Sequence, residues 1–410
     1  MYTYIETPEA LEKLVRELAD ADCIAIDTEF ISERSYTPRL ALIQLAAKHR
    51  VFLVDPVALP DLHALGPVLS SPDRVVVVHN GEVDCRLLYQ SAGATLPRLF
   101  DTQLAAAFVG LPEGTGLAVL VRHFANARVA KGQQVTDWLR RPLTEAQLGY
   151  AANDVRHLER IYQRLHARLV RSRRVGIYEE ELAARRQKWE QIGEPNARFK
   201  KILASSHMTE RRKRALLDLW AWRDGVAEAR DLPRQQIMGD DVLTALAEAL
   251  PKNISDLMGL RLVPEKIKNR HGEAIVSACA SALELPDTPL PKEEAPPLDD
   301  PKSSARAKLV KLALEVLAVE VGIAPGLIAR AEEAETLSRA AGQGETLPEL
   351  PCLEGWRGRL VGKKLWDFAR GRKSLRLNPE RKGPTVLLED VPEYPEITKE
   401  KRIQKRAASK

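Results

Sequence analysis

Four consecutive valines, Val75-Val76-Val77-Val78, restrict the fold more than any other feature of this chain. A run of β-branched residues is a strand that is apolar on both faces, and such a strand must be covered from both sides. Its neighbours supply the cover. Leu11, Leu14, Val15 and Leu18 recur at helical spacing over 8–19, and 23–26 reads as a short buried strand. Residues 40–46 and 51–54 read as two further strands, with helices at 82–91, 101–109, 115–124 and 144–169. Strands and helices mixed in this order predict an α/β sandwich around a central sheet, here assigned to residues 1–172.

From residue 175 onward the strand signal largely vanishes. After a connecting helical segment, 173–205, an all-helical unit spans 206–284: a long helix over 209–231, a helix capped by Asp240-Asp241 and stopped by Pro251, a short one capped by Ser255, and a last one over 264–283. Residues 285–304, dense in proline and charge, read as a linker. A second helical unit follows over 305–378, with its final helix near 362–370. The basic tail, 379–410, reads as largely disordered, with a possible short terminal helix.

A length of 410 residues accommodates these units, and 44% hydrophobic with 29% charged residues is ordinary globular composition. No apolar run approaches the roughly 18–20 residues needed to span a bilayer. The first residues do not form a leader pattern, so the cytoplasm is the default expectation. Cys23, Cys85, Cys279 and Cys352 are too scattered for a zinc site or a disulfide framework and read as free thiols. Lys and Arg total 62 against 57 acids, a net charge of +5. That excess alone does not argue for nucleic acid, but it is concentrated in 211–214, 266–271 and the tail, where clustered cations attract a phosphate backbone.

The chemistry is carried by acids. Asp27 and Glu29, in Ile24-Ala25-Ile26-Asp27-Thr28-Glu29-Phe30, are two apart and project from one face of an extended chain. Side by side they repel unless a cation intervenes, which makes them a candidate magnesium site. Asp84 falls in the first turn of the helix after the valine strand, where an acid also suits the helix dipole. Tyr150 and Asp154 stand one turn apart on a later helix.

Asp-x-Glu, His79-x4-Asp84-x3-Leu88 and Tyr150-x3-Asp154 together resemble the three exonuclease motifs of the DEDD superfamily, tyrosine branch. Ser35-Tyr36-Thr37-Pro38-Arg39-Leu40-Ala41-Leu42-Ile43-Gln44-Leu45, Phe100-Asp101-Thr102-Gln103-Leu104 and the stretch 131–143 are similar to bacterial ribonuclease D. The first helical unit, with Ala221-Trp222-Arg223-Asp224 and Asp240-Asp241-Val242-Leu243, resembles the helicase-and-RNase-D C-terminal domain. The second, with Glu354-Gly355-Trp356-Arg357, resembles it more loosely. The resemblance covers nearly the whole chain except the basic tail.

It implies a ribonuclease H-like α/β exonuclease domain followed by two small all-α domains. The implied activity is metal-dependent 3′→5′ removal of nucleotides from RNA ends, with tRNA precursors and other small structured RNAs as partners. Two divalent ions, Mg²⁺ or Mn²⁺, would be held by Asp27, Glu29, Asp84 and Asp154, with Asp27 bridging, Glu29 and Asp154 completing the first site and Asp84 supporting the second. Tyr150 would orient the attacking water. Glu29, Phe30, His79, Lys131 and Gln134 are candidate substrate contacts. Asp101 reads as a helix N-cap ahead of a ligand, and Trp138 as packing ahead of base stacking. A monomer is favoured. A DNA exonuclease and a catalytically silent RNA-binding adaptor are the alternatives; the adaptor is disfavoured because all five site residues are present.

Overall fold

The computed structural model describes residues 1–32, 35–128, 136–189, 208–286, 301–344, 346–379 and 386–391. The strands of the first domain are β1 (Thr3–Ile5), β2 (Cys23–Ile31), β3 (Arg39–Ala47), β4 (Arg50–Val54), β5 (Val75–Val78) and β6 (Leu99–Asp101). They form one sheet in the order β1-β4-β3-β2-β5-β6. β3 runs antiparallel to β2 and β4, while β1, β5 and β6 join parallel to their neighbours. The valine strand is therefore interior, and Val76, Val77 and Val78 are fully buried. β1 and β6 are three residues each, too short for a periodicity to announce them.

The expected helices form, the one read over 115–124 as a short α-helix, Leu117–Leu120, running on as a π-helix, Val121–Ala125, and two further departures bear on the site. The helix read over 144–169 is two, Glu145–Arg156 and Leu158–Arg171, broken at His157, which caps both. β2 also continues well past residue 26, so Asp27 and Glu29 lie within a strand rather than beyond its end.

The helical unit from Glu210–Ala229 to Glu265–Leu283 has a hydrophobic core of its own, including Leu216, Leu219, Leu243, Leu246, Ile275 and Cys279. Two of its caps differ from expectation. Gly239, not an aspartate, precedes the helix Asp240–Ala249, because the Asp240 carboxylate is turned inward to pair with the buried Arg223 at 2.7 Å. Asn253 rather than Ser255 caps the next helix, accepting from the Asp256 amide.

The second helical unit begins at Pro301, inside the stretch read as linker, and runs to the helix Lys363–Ala369. It is not purely helical: β7 (Lys373–Leu377) pairs antiparallel with β8 (Val386–Asp390), so part of the stretch read as a disordered tail is a strand. This unit shares one continuous core with the first domain. The Phe108 and Trp356 rings are 5.1 Å apart, and the Arg174 guanidinium donates to both Phe108 O at 2.7 Å and Gly322 O at 2.6 Å. Among the described residues no helix is long and apolar enough to cross a membrane. All four cysteines are free thiols.

Candidate active site

β2 outruns its neighbour. Its pairing with β5 covers only Cys23 to Ala25, so from Ile26 onward it is bordered by β3 alone. The turn that follows β5 enters this gap carrying Asp84, in the first turn of the helix Glu82–Ala92. Asp84 is buried and accepts the Thr28 hydroxyl at 2.5 Å. The turn is tightly specified. Asn80 has φ 59°, and a Cβ at Gly81 would lie 2.5 Å from a Val78 methyl. Asp101 accepts the backbone amides of Asn80 and Gly81 at 3.1 and 3.3 Å while capping the helix Thr102–Phe108 through Gln103 and Leu104. Asp101 is thus the N-cap that its position suggests, and it also pins the turn carrying Asp84.

The helix Glu145–Arg156 lies across β2, β3 and β4. Its start is fixed by a capping box, in which Thr144 Oγ1 accepts the Gln147 amide and the Gln147 side chain accepts the Thr144 amide. Asp154 comes down over β2, and carboxylate oxygens of Asp27, Glu29 and Asp154 all lie within 4.8 Å of one another. Tyr150, one turn earlier, makes a hydrogen bond to Asp154. Asp84 is outside that tight cluster, yet close enough for its charge to act on both Asp27 and Glu29. All five residues singled out in the sequence are therefore brought together.

The electrostatics follow from the packing. Burial, then the neighbouring charges of Asp84, Asp154 and Glu29, holds the Asp27 carboxyl well above the usual range. Burial and the charges of Asp154 and Asp84 push Glu29 up to about 8. Asp154 is raised by burial to about 7 against the opposing Tyr150 hydrogen bond. Asp84 is raised by burial to about 6, restrained by its bonds from Thr28. Such a site holds protons or cations in preference to bare charge. Its donors are all oxygen, which suits a hard divalent ion.

Other candidates are placed less decisively. His79 sits in the same turn, its Nδ1 3.0 Å from Thr102 Oγ1. Because that hydroxyl donates to Val78 O, its oxygen accepts from Nδ1 and leaves Nε2 as the ring's acceptor. Burial holds His79 below its ordinary value. Phe30 is half-exposed beside Glu29. Lys131 and Gln134 lie outside the described residues. Trp138 is 2% exposed and packs, 6.2 Å ring to ring from Tyr150.

Arg141 was missed as a contributor. The β2–β3 register slips between Glu29 and Phe30, leaving Ala41 as an extra residue, and Arg141 Nη2 donates to Ala41 O at 2.7 Å. The same guanidinium pairs with Asp55, whose carboxylate also accepts the Tyr4 hydroxyl at 2.6 Å. No spacing rule connects position 141 to position 41, so nothing in the sequence signals this contact.

A 3′-5′ exonuclease family matches residues 2–170, and an HRDC domain matches residues 212–279. A ribonuclease D of Gluconacetobacter diazotrophicus is 33% identical over 379 residues, 92% of this chain and 95% of that protein. The chain belongs to the ribonuclease D family. The ribonuclease D of Acidiphilium cryptum is 32% identical over 95% of this chain and 97% of its own length. The crystal structure of Escherichia coli RNase D, described as an exoribonuclease involved in structured RNA processing, aligns with a TM-score of 0.74 at 27% identity, covering 90% of this chain and 99% of that one. The chain is accordingly a 3′→5′ exoribonuclease, with RNA as its substrate. Ribonuclease D exonucleases depend on divalent metal, and the acidic cluster that such metal requires is present.

Proposed function

We propose that this exoribonuclease works with two divalent cations, Mg²⁺ or Mn²⁺, held by Asp27, Glu29, Asp84 and Asp154, and that tRNA precursors and other small structured RNAs are its substrates. The observation that carries the metal reading is the meeting of Asp27, Glu29 and Asp154 oxygens within 4.8 Å. Acids this close are stable together only when protons or cations lie between them. In this reading Asp27, Glu29 and Asp154 would hold one ion, and Asp27 with Asp84 would hold the other. When bound, such a pair of ions acidifies the attacking water and steadies the departing 3′ oxygen.

The chain's own groups do the positioning. The Tyr150 hydroxyl, anchored on Asp154, orients the water for attack. Glu29, nearest the open end of β2, contacts the terminal nucleotide along with Phe30 and His79, whose Nε2 is left as an acceptor. The structured-RNA preference is supported by Escherichia coli RNase D, described as involved in structured RNA processing and aligned over nearly its whole length. Asp27, Glu29 and Asp154 meet without a residue from a second copy, so a monomer can carry the cluster.

The test is hydrolysis of a tRNA precursor labelled at its 3′ or 5′ end, with and without Mg²⁺. The 3′ label should be released first as mononucleotide, and only with the ion. Asp154→Asn should abolish cleavage, by at least about a hundredfold, while RNA binding stays nearly intact. Cleavage retained by Asp154→Asn would remove that residue from the site.

A further inference from the structure

Gln44 lies in the middle of β3, and its direct partner in the β2–β3 register is Asp27. Residues so opposed send their side chains to the same face, with Cβ atoms roughly 4.5–5.5 Å apart. The helix Glu145–Arg156, with Tyr150 and Asp154, packs on β2 and β3. Gln44 is 0% exposed, and neither its amide nitrogen nor its amide oxygen has a hydrogen-bond partner among the described residues.

A buried amide with both ends unpaired is costly, and few are tolerated in a folded protein without a reason. Packing supplies none here. The other positions on this face of β3 are Leu42 and Ala46, and the residue opposite Gln44 in β4 is Leu53. A leucine at position 44 would continue that apolar surface. The chain instead keeps a hydrogen-bonding group beside the Asp27 carboxylate. Two of the other three acids already have side-chain donors, the Thr28 hydroxyl for Asp84 and the Tyr150 hydroxyl for Asp154. Asp27 receives the backbone amide of Thr28, and Gln44 is the side-chain donor standing opposite it.

We infer that Gln44 is a positioning residue for Asp27, its amide donating to that carboxylate and fixing its orientation when a divalent cation occupies the cluster. Carboxylates that bind metal are themselves held by hydrogen bonds, and loss of such a partner typically weakens metal binding about 10–100-fold. The inference rests on the carboxylate cluster being the metal site.

The experiment measures Mn²⁺ affinity of the full chain by calorimetry, alongside thermal melts without metal, for Gln44→Met. Methionine keeps the volume and removes the amide. The expected result is affinity weakened by about tenfold or more with the metal-free melting temperature unchanged or raised, because an unpaired buried amide has been removed. Affinity within about twofold of the unsubstituted chain would overturn the inference. Should Gln44→Met fail to fold, Gln44→Asn retains a polar group but withdraws the amide by one methylene, and the same two affinity outcomes apply to it. Mn²⁺ binding that is missing in the unsubstituted chain, or that survives Asp154→Asn, would defeat the metal reading itself and this inference with it.

Discussion

Asp27, Glu29 and Asp154 crowd their oxygens within 4.8 Å, so protons and cations compete for the same few positions. Carboxyls of an unfolded chain titrate near 4. In the folded protein burial raises Asp84 to about 6 and Asp154 to about 7, and burial with the charges of Asp154 and Asp84 raises Glu29 to about 8. Across that window the folded state binds more protons than the unfolded one, so without metal stability falls as pH rises from roughly 4 towards 8. A divalent cation replaces the protons. The gain in melting temperature on adding Mg²⁺ should therefore be larger at pH 8 than at pH 5, measured by thermal melts at fixed ionic strength. A gain that stays flat or shrinks with pH would count against the cluster as the cation site. At this scale the sequence was most legible. Asp27 and Glu29 lie two apart on a strand, and Tyr150 and Asp154 four apart on a helix, so local periodicity states their direction, while Asp84 is marked by its place in a helix's first turn. Gln44 and Arg141 were opaque because their roles arise from partners in other strands and loops.

The elements of the site depend on one irregularity, the bulge at Ala41 that lets β2 and β3 change register beside Glu29. Bulges re-aim side chains and increase local twist. Here Arg141 closes it, joining the free carbonyl of Ala41 to the Asp55 carboxylate, whose side chain is 3% exposed. Replacing Arg141 with methionine leaves that acid buried with its Tyr4 and backbone donors but no countercharge. Removing one partner of a buried pair costs about 3–5 kcal/mol, and the partial exposure of Arg141 places this case near the lower end. Arg141→Met should thus lower the unfolding free energy by about 3 kcal/mol in urea titration. It should also reduce kcat/KM on RNA at temperatures where the chain remains folded, because the strand segment holding Glu29 loses its brace. An unchanged urea midpoint would show that the guanidinium is dispensable. The bulge was not foreseen because both strands read as regular apolar runs, and a one-residue slip leaves no mark in such a run. The cap at Asp101, by contrast, follows from local chemistry.

On the scale of the whole molecule, the two helical units stand in different relations to the first domain, a distinction that the sequence does not carry. Each reads as an amphipathic helical set, and nothing in its pattern states which surface it will cover. The unit 208–286 has its own core and meets the first domain through a polar junction. There the Tyr36 hydroxyl donates to Asp224 at 2.8 Å, the Tyr36 amide donates to Asp231 at 3.1 Å, and Arg234 lies 4.5 Å over the Tyr36 ring. Several cations of its basic clusters are committed to the fold. Lys268 is buried against Met258 O and Glu265, and Arg214 pairs with Asp218, while Lys266 and Arg270 remain exposed for a phosphate backbone. The unit from 301 onward is different, because Trp356 and Arg357 both reach the nearly buried Glu181 and Ala324 donates to Ala107 O. A chain ending at Trp189 would uncover Phe108 and Glu181, which Trp356 covers in the full chain. That truncation should melt at a markedly lower temperature or aggregate, whereas internal excision of 208–286 should keep a cooperative melt near that of the full chain. The excised protein should cleave a short single-stranded RNA at close to the full-length rate. It should bind structured RNA more weakly, with a shallower dependence of affinity on salt, because fewer phosphate contacts are made. A truncation at Trp189 as stable as the full chain would mean that the shared core contributes little, and an unchanged salt slope after excision would assign the backbone contacts to another surface.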